Sequence, residues 1–378
     1  MTRKLVRFWP FAIAKKPLSP RIAAATKRRK AVVALVSGMI VYLILHIALA
    51  ATCEFSRYLR DPLYADKEIK LSRLERSLPT GSQMVLFLGT SRIGNGIDAG
   101  QAQAKLTEGL GRPVGAFNWG TPGAGPACNL VHLRRILSDG HRPSHLLLEI
   151  FPPGLATIPG EAVTYEDRFL EGMNLEWSEL DSIGEYGLPA ERLREQRQSV
   201  LISPWYSLRF RIMGRLRPTM LPYHLRYDWS RGPDINGWSP IVAENVSDEQ
   251  REAGVKRTKE EFGYILEHAT LNEGAVRAFR EMLSIARKER IQVAVIRMPD
   301  GTNLRKLHPQ SMNARFDRLL NELVAEYGCR VYDTREWMSD DAFMDGTHLL
   351  RRGAEAYTRR LVQEAIEPFV SSATDGLR

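Results

Sequence analysis

Cysteine is scarce in this sequence, and the motifs of several large functional classes are absent from it. The 378 residues include three cysteines, Cys53, Cys128 and Cys329. So few thiols exclude a disulfide framework. We expect buried free thiols, with a Cys128–Cys329 pair as the alternative in an oxidising compartment. The sequence has no phosphate-binding Gly-Lys-Ser/Thr loop, no metal-ligand spacing and no internal repeat, so it predicts neither a metal nor a nucleotide cofactor.

Acidic residues are missing from the first thirty positions. Residues 1–30 contain ten lysines and arginines and no aspartate or glutamate, which leaves 43 basic against 44 acidic residues in the rest of the chain. The formal net charge of +9 therefore belongs to one short arm. Because the remaining chain is close to neutral, we predict no nucleic-acid partner.

Charged residues are also missing from the segment that follows this arm. Residues 31–51 contain no Asp, Glu, Lys or Arg, and about 20 apolar residues in a helix cross a bilayer. We predict an uncleaved transmembrane anchor over residues 31–53, in contact with membrane lipid. By the positive-inside rule the arm 1–30 is cytoplasmic and the rest of the chain is extracytoplasmic, either periplasmic or at the cell surface. A cleaved signal peptide is the alternative, because residues 48–50 resemble a cleavage site.

The sequence does contain an alternation of apolar runs and amphipathic helices. After a polar connector at 54–80 with a short helix over 67–78, five strands are predicted at 84–89, 113–118, 145–150, 291–296 and 329–333. Helices are predicted near 98–110, 130–137, 276–286, 316–327 and 352–370. Apolar runs without polar alternation are typical of parallel strands buried on both faces. We therefore predict an α/β domain over 81–370, with a doubly wound, flavodoxin-like parallel sheet flanked by helices, and a polar tail at 371–378.

Residues 155–270 interrupt this alternation between the third and fourth predicted strands. This insertion fits no regular alternation of strands and helices, and it holds four of the seven tryptophans, Trp177, Trp205, Trp229 and Trp238. A long segment at the functional edge of a sheet is often a lid or a binding subdomain. The alternative, which we favour for most of its aromatic residues, is a small core within the insertion itself.

A serine follows the first predicted strand, at the position where parallel sheets bind ligands. The apolar run 84–88 ends at Gly89, and Ser91 comes two residues later, just beyond the carboxyl end of the strand. A serine nucleophile needs a base, and the base needs a group that orients it.

His348 is the best candidate for that base among the eight histidines. It lies three residues after Asp345, in a loop before the last predicted helix, and Gly346 between them lets the chain bend. This spacing predicts that Asp345 accepts a hydrogen bond from one imidazole nitrogen and leaves the other for Ser91. The alternative is a helix start capped by Asp345 or Thr347, with His348 merely exposed.

Acyl transfer also needs hydrogen-bond donors for the oxyanion. Residues 117–125 follow the second predicted strand and are rich in glycine, so their amides can approach a ligand closely. The amides of Gly120 and Ser91 would form the oxyanion hole, and the Asn118 side chain is a further candidate donor. The alternative is a plain glycine turn.

Three of these segments resemble, in their order along the chain, the sequence blocks of the SGNH (GDSL-like) hydrolase family. They are residues 89–91, 118–120 and 345–348. The resemblance covers about 84–154 and 290–365, and the insertion lies outside it.

The resemblance implies a role for each residue of these blocks. Ser91 is the nucleophile, Gly120 an oxyanion donor, His348 the base and Asp345 its partner. The predicted anchor is similar to that of the cell-envelope branch of the family. Some members of that branch move or remove acyl groups on surface polysaccharides.

Two positions depart from the family's pattern. Thr90 stands before the serine where the first block usually has Asp, and Arg92 follows the serine. Residues 148–153 lack the Asn that the third block usually supplies. The loss of one oxyanion donor costs roughly 10²–10³ in rate, so low activity or an unusual acceptor follows unless Asn118 substitutes. We predict a structural role for Glu149 and a scaffold salt bridge for Arg92.

The sequence therefore predicts a membrane-anchored, extracytoplasmic serine esterase of SGNH type. Its expected substrates are acyl esters, in particular acetyl esters, of cell-envelope glycans, or small esters. Two alternatives remain open. An O-acyltransferase of surface polysaccharide would use the same three residues, with the aromatic insertion binding the glycan. A catalytically silent SGNH-like binding module would not use them.

Overall fold

The computed structural model describes residues 20–160, 164–222, 232–268 and 270–375. Trp229, most of the basic arm and the last three residues of the predicted tail lie outside the described residues. The chain divides into two compact units, Met1–Thr52 and Cys53–Arg378.

The described part of the first unit is helical. Helix α1 covers Pro20–Phe55, and its last three residues already belong to the second unit. Its stretch Ala24–Phe55 is long and apolar enough to cross a membrane. Because a signal sequence passes the same test of length and hydropathy, the choice between an anchor and a cleaved peptide stays a prediction.

The second unit is built on a parallel sheet of five strands. The strands are β1 (Gln83–Leu88), β2 (Val114–Asn118), β3 (His145–Glu149), β4 (Gln292–Arg297) and β5 (Arg330–Asp333). Their order is β2-β1-β3-β4-β5, and every neighbouring pair is parallel. This is the flavodoxin-like doubly wound order, so the predicted fold class is confirmed, with every strand end within one residue of its predicted position.

Fifteen helices follow α1 in the described chain. They are α2 (Arg57–Arg60), α3 (Pro62–Ser77), α4 (Ser91–Gly96), α5 (Ala99–Leu110), α6 (Pro126–Ser138), α7 (Trp177–Ser182), α8 (Ala190–Ile202), α9 (Pro204–Ser207), α10 (Arg209–Leu216), α11 (Asp248–His268), α12 (Glu273–Lys288), α13 (Thr302–Leu307), α14 (Gln310–Tyr327), α15 (Arg351–Leu361) and α16 (Glu367–Asp375). A π-helical turn, Val362–Ile366, joins the last two, and short 3-10 helices lie at Pro152–Leu155, Tyr165–Arg168, Gly172–Asn174, Ile183–Tyr186, Pro218–Met220 and Asp340–Ala342.

Alternate residues of the strands supply two separate hydrophobic cores. Leu86 of β1 and Leu148 of β3 belong to the core on one face, together with α6, α12 and α14. Phe87 of β1 and Ile296 of β4 belong to the other, together with α5, α15 and α16. Because both faces are covered, the strands are apolar at successive positions, which is the pattern seen in the sequence.

The connector predicted at 54–80 is helical and packed into the second unit. Helix α3 begins at Pro62, five residues before the predicted start. The Asp61 side chain caps it by accepting the Tyr64 N–H, and Pro62 suits the first helical position. Lys67 and Leu71 of this helix are almost fully buried, so these residues are part of the folded unit.

The insertion is mostly helical in its described part. Its longest helix, α11, buries only a narrow stripe that includes Thr258, Phe262 and Ile265, so the sequence shows little apolar periodicity there. Trp238 is buried in the core that contains Phe87, Tyr165 is buried in the core that contains Leu86, and Trp205 is exposed. The buried aromatic residues of the insertion therefore join the cores of the sheet, which corrects the prediction of a small core within the insertion itself. Cys128 and Cys329 are buried and free, as predicted, and Cys53 is also buried and free.

Candidate active site

The turn after β1 places Ser91 at the carboxyl edge of the sheet, as the first residue of α4. Thr90 caps this helix, because its hydroxyl oxygen accepts the Arg92 N–H at 3.0 Å, and its own N–H donates to Glu149 Oε2 at 2.7 Å. A Cβ atom on Gly89 would lie 2.6 Å from both Cβ and Oε2 of Glu149. Only glycine allows this close approach. The Ser91 amide, at the start of the helix, has no intrahelical acceptor.

A cluster of buried charges lies next to the serine turn. The Arg92 side chain is 5% exposed and donates to Asp300 Oδ1 at 2.5 Å and to the carbonyl oxygens of Met298 and Pro299. Its Nε atom is 3.8 Å from Glu149 Oε1. Burial raises the pKa values of Glu149 and Asp300, and the Arg92 charge opposes that shift. The structural roles predicted for Arg92 and Glu149 are confirmed.

Ser91, His348 and Asp345 form a continuous chain of hydrogen bonds. Ser91 Oγ is 2.8 Å from His348 Nε2, and His348 Nδ1 is 2.8 Å from Asp345 Oδ2. Asp345 Oδ1 accepts the backbone N–H groups of Thr347 at 2.9 Å and His348 at 2.8 Å. Helix α15 begins only at Arg351, so these residues are not the helix start that was the alternative. One carboxylate thus fixes both the loop and the ring.

The hydrogen bonds of Asp345 define the proton positions in this chain. Burial raises the pKa of Asp345, but the hydrogen bonds and charge of His348 and the N–H groups of the loop outweigh it and hold that pKa well below its usual range. An ionised Asp345 favours the imidazole tautomer that carries its proton on Nδ1. Nε2 is then the acceptor for the Ser91 hydroxyl, which is the arrangement that activates a serine.

Helix α11 of the insertion supports the Asp345 loop. A Cβ atom on Gly254 would lie 2.9 Å from Asp345 Cβ, so the helix backbone packs directly on this loop. The Thr258 hydroxyl donates to the Asp345 carbonyl oxygen at 2.9 Å, and Arg251 donates to the Phe343 carbonyl oxygen at 2.5 Å. The insertion therefore helps to position the acid–base pair.

The insertion also contacts the serine helix. The Trp238 indole N–H donates to the Asn95 carbonyl oxygen at 2.9 Å, and the Ser239 N–H donates to the Gly94 carbonyl oxygen at 3.0 Å. Both halves of the candidate site are thus in contact with a segment that the sequence blocks do not include.

The structure does not bring the Asn118 side chain into the predicted oxyanion role. Its two amide hydrogens are donated to the carbonyl oxygens of Ile93 at 2.8 Å and Ile97 at 2.7 Å. Its Oδ1 atom accepts the Gly120 N–H at 2.8 Å. Asn118 joins β2 to α4 and has no hydrogen left for a substrate, which corrects the prediction.

Gly120 is likewise a contact of the scaffold. Its N–H is engaged by Asn118, and a Cβ atom on it would lie only 2.1 Å from the Gly94 nitrogen. The loop after β2 therefore packs directly against the backbone of α4. Of the three predicted donors, the Ser91 amide is the one whose position at a helix start suits the role, and the oxyanion assignment stays a prediction.

Lys67 of α3 hydrogen-bonds to the backbone of this loop, although no pattern in the sequence indicated this role. The side chain is almost fully buried, and Nζ donates to the carbonyl oxygens of Asn118 at 2.9 Å and Gly120 at 2.8 Å. Burial lowers the pKa of Lys67 to about 7.

A cavity of about 370 Å³ adjoins the same loop but is not the site of the triad. Thr121, Gly123 and Phe169 are among its walls, and Ser91, Asp345 and His348 are not. Within the described ranges, no cluster of three or more His, Cys, Asp or Glu side chains could hold a metal ion.

Comparisons with known proteins add little to this geometry. No family model and no curated protein matches the chain. Among solved structures it is similar to a lipase/acylhydrolase from Enterococcus faecalis (12% identity, 76% of this chain and 96% of that chain, TM-score 0.33). It is also similar to a putative acylhydrolase from Bacteroides fragilis NCTC 9343 (12%, 85% and 99%, TM-score 0.34). A third is a GDSL-like lipase from Bacteroides thetaiotaomicron VPI-5482 (10%, 80% and 99%, TM-score 0.33).

Proposed function

We propose that this chain is a membrane-anchored serine esterase of SGNH type that cleaves acyl esters, in particular acetyl esters, of cell-envelope glycans. One observation carries the proposal. Ser91 Oγ and His348 Nε2 are 2.8 Å apart, and Asp345 Oδ2 is 2.8 Å from the other ring nitrogen. A hydrogen-bonded serine, imidazole and carboxylate at the carboxyl edge of a parallel sheet is the arrangement that acyl transfer requires.

The reaction proceeds in two halves that use the same proton path. As Ser91 Oγ attacks the ester carbonyl carbon, its proton moves to His348 Nε2, and the carbonyl oxygen takes the negative charge. Asp345 stabilises the resulting imidazolium. The proton on Nε2 then passes to the alcohol oxygen as the C–O bond breaks, which leaves the acyl group on Oγ. Water repeats the sequence, releases the carboxylic acid and restores the serine.

Labelling of the full-length chain with a fluorophosphonate tests the nucleophile. We expect one labelled residue, Ser91, and no label on Ser91→Ala. His348→Ala should react at least about 10²-fold more slowly, because general-base catalysis is lost. Ser311→Ala, which changes an exposed serine at the start of α14, is the control and should label normally. Equal labelling of the wild type and Ser91→Ala would overturn the proposal and favour the binding module.

The substrate class needs a separate assay with acetylated glycans. We expect wild-type protein to release acetate from them and Ser91→Ala to release none. If acetate appears only on an added glycan acceptor and never in water, the protein is instead an acyltransferase with the same Ser91 chemistry.

The anchor and its orientation are part of the proposal. The ten basic residues and no acidic residues within residues 1–30, followed by an apolar helix of sufficient length, support a cytoplasmic N-terminus. A reporter that is active only outside the cytoplasm, fused after Arg378, should be active. A signal only from a cytoplasmic reporter at the same place would overturn the orientation.

A further inference from the structure

Seven apolar and aromatic side chains are exposed within residues 201–220 of the insertion, from the end of α8 to the 3-10 helix Pro218–Met220. Ile202 is 75% exposed and Leu216 is 70% exposed. We call this set the insertion patch; its members are Leu201, Ile202, Trp205, Tyr206, Phe210, Leu216 and Met220. Surface apolar residues are normally scattered singly, and a concentration of them marks a site of interaction.

The inner side of the same segment is well packed, so the patch is a defined surface. Val200 and Leu208 are fully buried. The Ser207 hydroxyl donates to the Ser199 carbonyl oxygen at 3.1 Å and fastens α9 to the end of α8. The exposed side chains therefore point outward from a folded support.

The charge of the segment has one sign. Residues 199–222 contain four arginines and no aspartate or glutamate. The Arg209 guanidinium carbon lies 3.7 Å from the centroid of the Tyr206 ring and 4.3 Å from that of Phe210. Tryptophan, tyrosine and aliphatic side chains mixed with cations suit the boundary between acyl chains and anionic headgroups.

The helices that carry the insertion patch form hydrogen bonds and an ion pair with the residues that directly follow the predicted anchor. Arg211 donates to the carbonyl oxygens of Leu59, at 3.2 Å, and Arg60. Arg197, which is fully buried, pairs with Glu54, and Arg60 donates to the Glu54 carbonyl oxygen at 2.7 Å. Glu54 is the first residue after the predicted span 31–53, so the covalent chain keeps these residues close to the bilayer surface.

We propose that the insertion patch inserts into the headgroup region of the bilayer, with its apolar side chains at the acyl boundary and Arg209 and Arg217 on anionic headgroups. The occupant of this surface is thus an anionic lipid bilayer. The inference rests on the proposed anchor and is independent of the ester chemistry at Ser91.

Site-directed spin labelling of the full-length chain in nanodiscs tests this inference. The native cysteines are buried, so an introduced exposed cysteine takes the label, with the unsubstituted chain as the background. Labels at Ile202→Cys and Met220→Cys should show high collision rates with oxygen and low rates with a water-soluble nickel chelate. Ser311→Cys on α14 is the exposed control and should show the reverse, and Leu43→Cys in α1 reports on the anchor.

Lipid composition tests the electrostatic part. Phosphatidylglycerol in a phosphatidylcholine disc should increase the protection of the Ile202→Cys label from the nickel chelate. Arg209→Gln combined with Arg217→Gln should abolish that increase and leave the signal in pure phosphatidylcholine nearly unchanged.

Each other outcome overturns the inference in a recognisable way. If the two patch labels behave like Ser311→Cys while Leu43→Cys is shielded, the patch does not bind lipid and the anchor stands. Shielding of the patch labels from both reagents indicates a protein contact instead. If Leu43→Cys is open to water, the anchor and the patch inference fail together. Fluorophosphonate labelling of Ser91 is a separate readout, so the failure of the esterase proposal would be distinguishable.

Discussion

Ser91 and His348 meet at one hydrogen bond, yet the buried charges beside the serine turn and the helix that supports the Asp345 loop belong to different regions of the molecule. The serine turn is supported inside the α/β core, where Arg92 lies between Glu149 and Asp300. The Asp345 loop is supported by α11, which belongs to the insertion. Changes near the serine should therefore act mainly on stability, and changes on α11 mainly on activity.

The largest effect is expected for Arg92→Leu. Without the guanidinium, two buried carboxyl groups lose their cation, and the removal of one partner of a buried pair costs about 3–5 kcal/mol. Thermal unfolding of the detergent-solubilised chain measures this loss. Arg352→Leu is the control, because its pair with Asp341 is half exposed and should contribute at most about 1 kcal/mol. Equal stability of the two variants would show that the buried cluster does not hold the serine turn.

Gly254→Ala should act on the other half of the site. The new methyl group would lie 2.9 Å from Asp345 Cβ and displace the loop, and a shift of about 1 Å can cost roughly 10²-fold in rate. Ester hydrolysis should fall about 10- to 100-fold with little change in unfolding temperature. Gly263→Ala on the same helix meets only Lys259 Cγ, at 3.8 Å, and should keep full activity. Equal activity of both variants would contradict positioning by α11.

Lys67→Met tests whether the buried Lys67 amine, which hydrogen-bonds to the loop after β2, makes the free energy of unfolding depend on pH. The pKa of Lys67 is lowered to about 7 in the folded chain and is about 10.4 when unfolded. Between these values the unfolded chain binds the extra proton, so the free energy of unfolding should rise with pH by up to about 1.4 kcal/mol per unit.

This contribution to the pH slope should disappear in Lys67→Met. It should persist in Lys256→Met, whose lysine side chain is 79% exposed in the wild type. Unfolding measured at several pH values above 7 gives both slopes, and an unchanged slope in Lys67→Met would mean that this amine stays charged in the fold.

Thr258→Val should have the smallest effect. It removes the hydrogen bond to the Asp345 carbonyl oxygen, which is worth about 1 kcal/mol, so hydrolysis should slow about fivefold at most. Thr258→Ser keeps the hydroxyl and should restore the rate. A valine variant as fast as the serine variant would leave Gly254 as the relevant contact of α11.

The sheet and the Ser91–His348–Asp345 chain could be predicted because their signals are local. Strands buried on both faces are continuous apolar runs, as in residues 84–88, and three residues are enough to fold Asp345 back onto the His348 ring. The role of Asn118 could not be predicted in this way. It depends on the carbonyl groups of Ile93 and Ile97, which reach it only after β2 has paired beside β1.

The residues that support the site, such as Lys67 and Asp300, could not be predicted either, for physical reasons. A lysine in a short amphipathic helix normally faces water, so nothing marked Lys67 as buried. Asp300 does follow a predicted strand, which is a usable signal, but its partner Arg92 lies 208 residues away in sequence. Helix α11 has few apolar residues, so neither its existence nor its contact with Asp345 was visible.

The separation of 257 residues between Ser91 and His348 also has a consequence for synthesis. A nascent chain that ends at β4 already carries the serine turn and lacks the imidazole and the carboxylate. The hydroxyl acquires its proton acceptor only when residues 345–348 have emerged and folded against the serine turn. A chain that stops before residue 345 therefore carries Ser91 without the groups that would activate it.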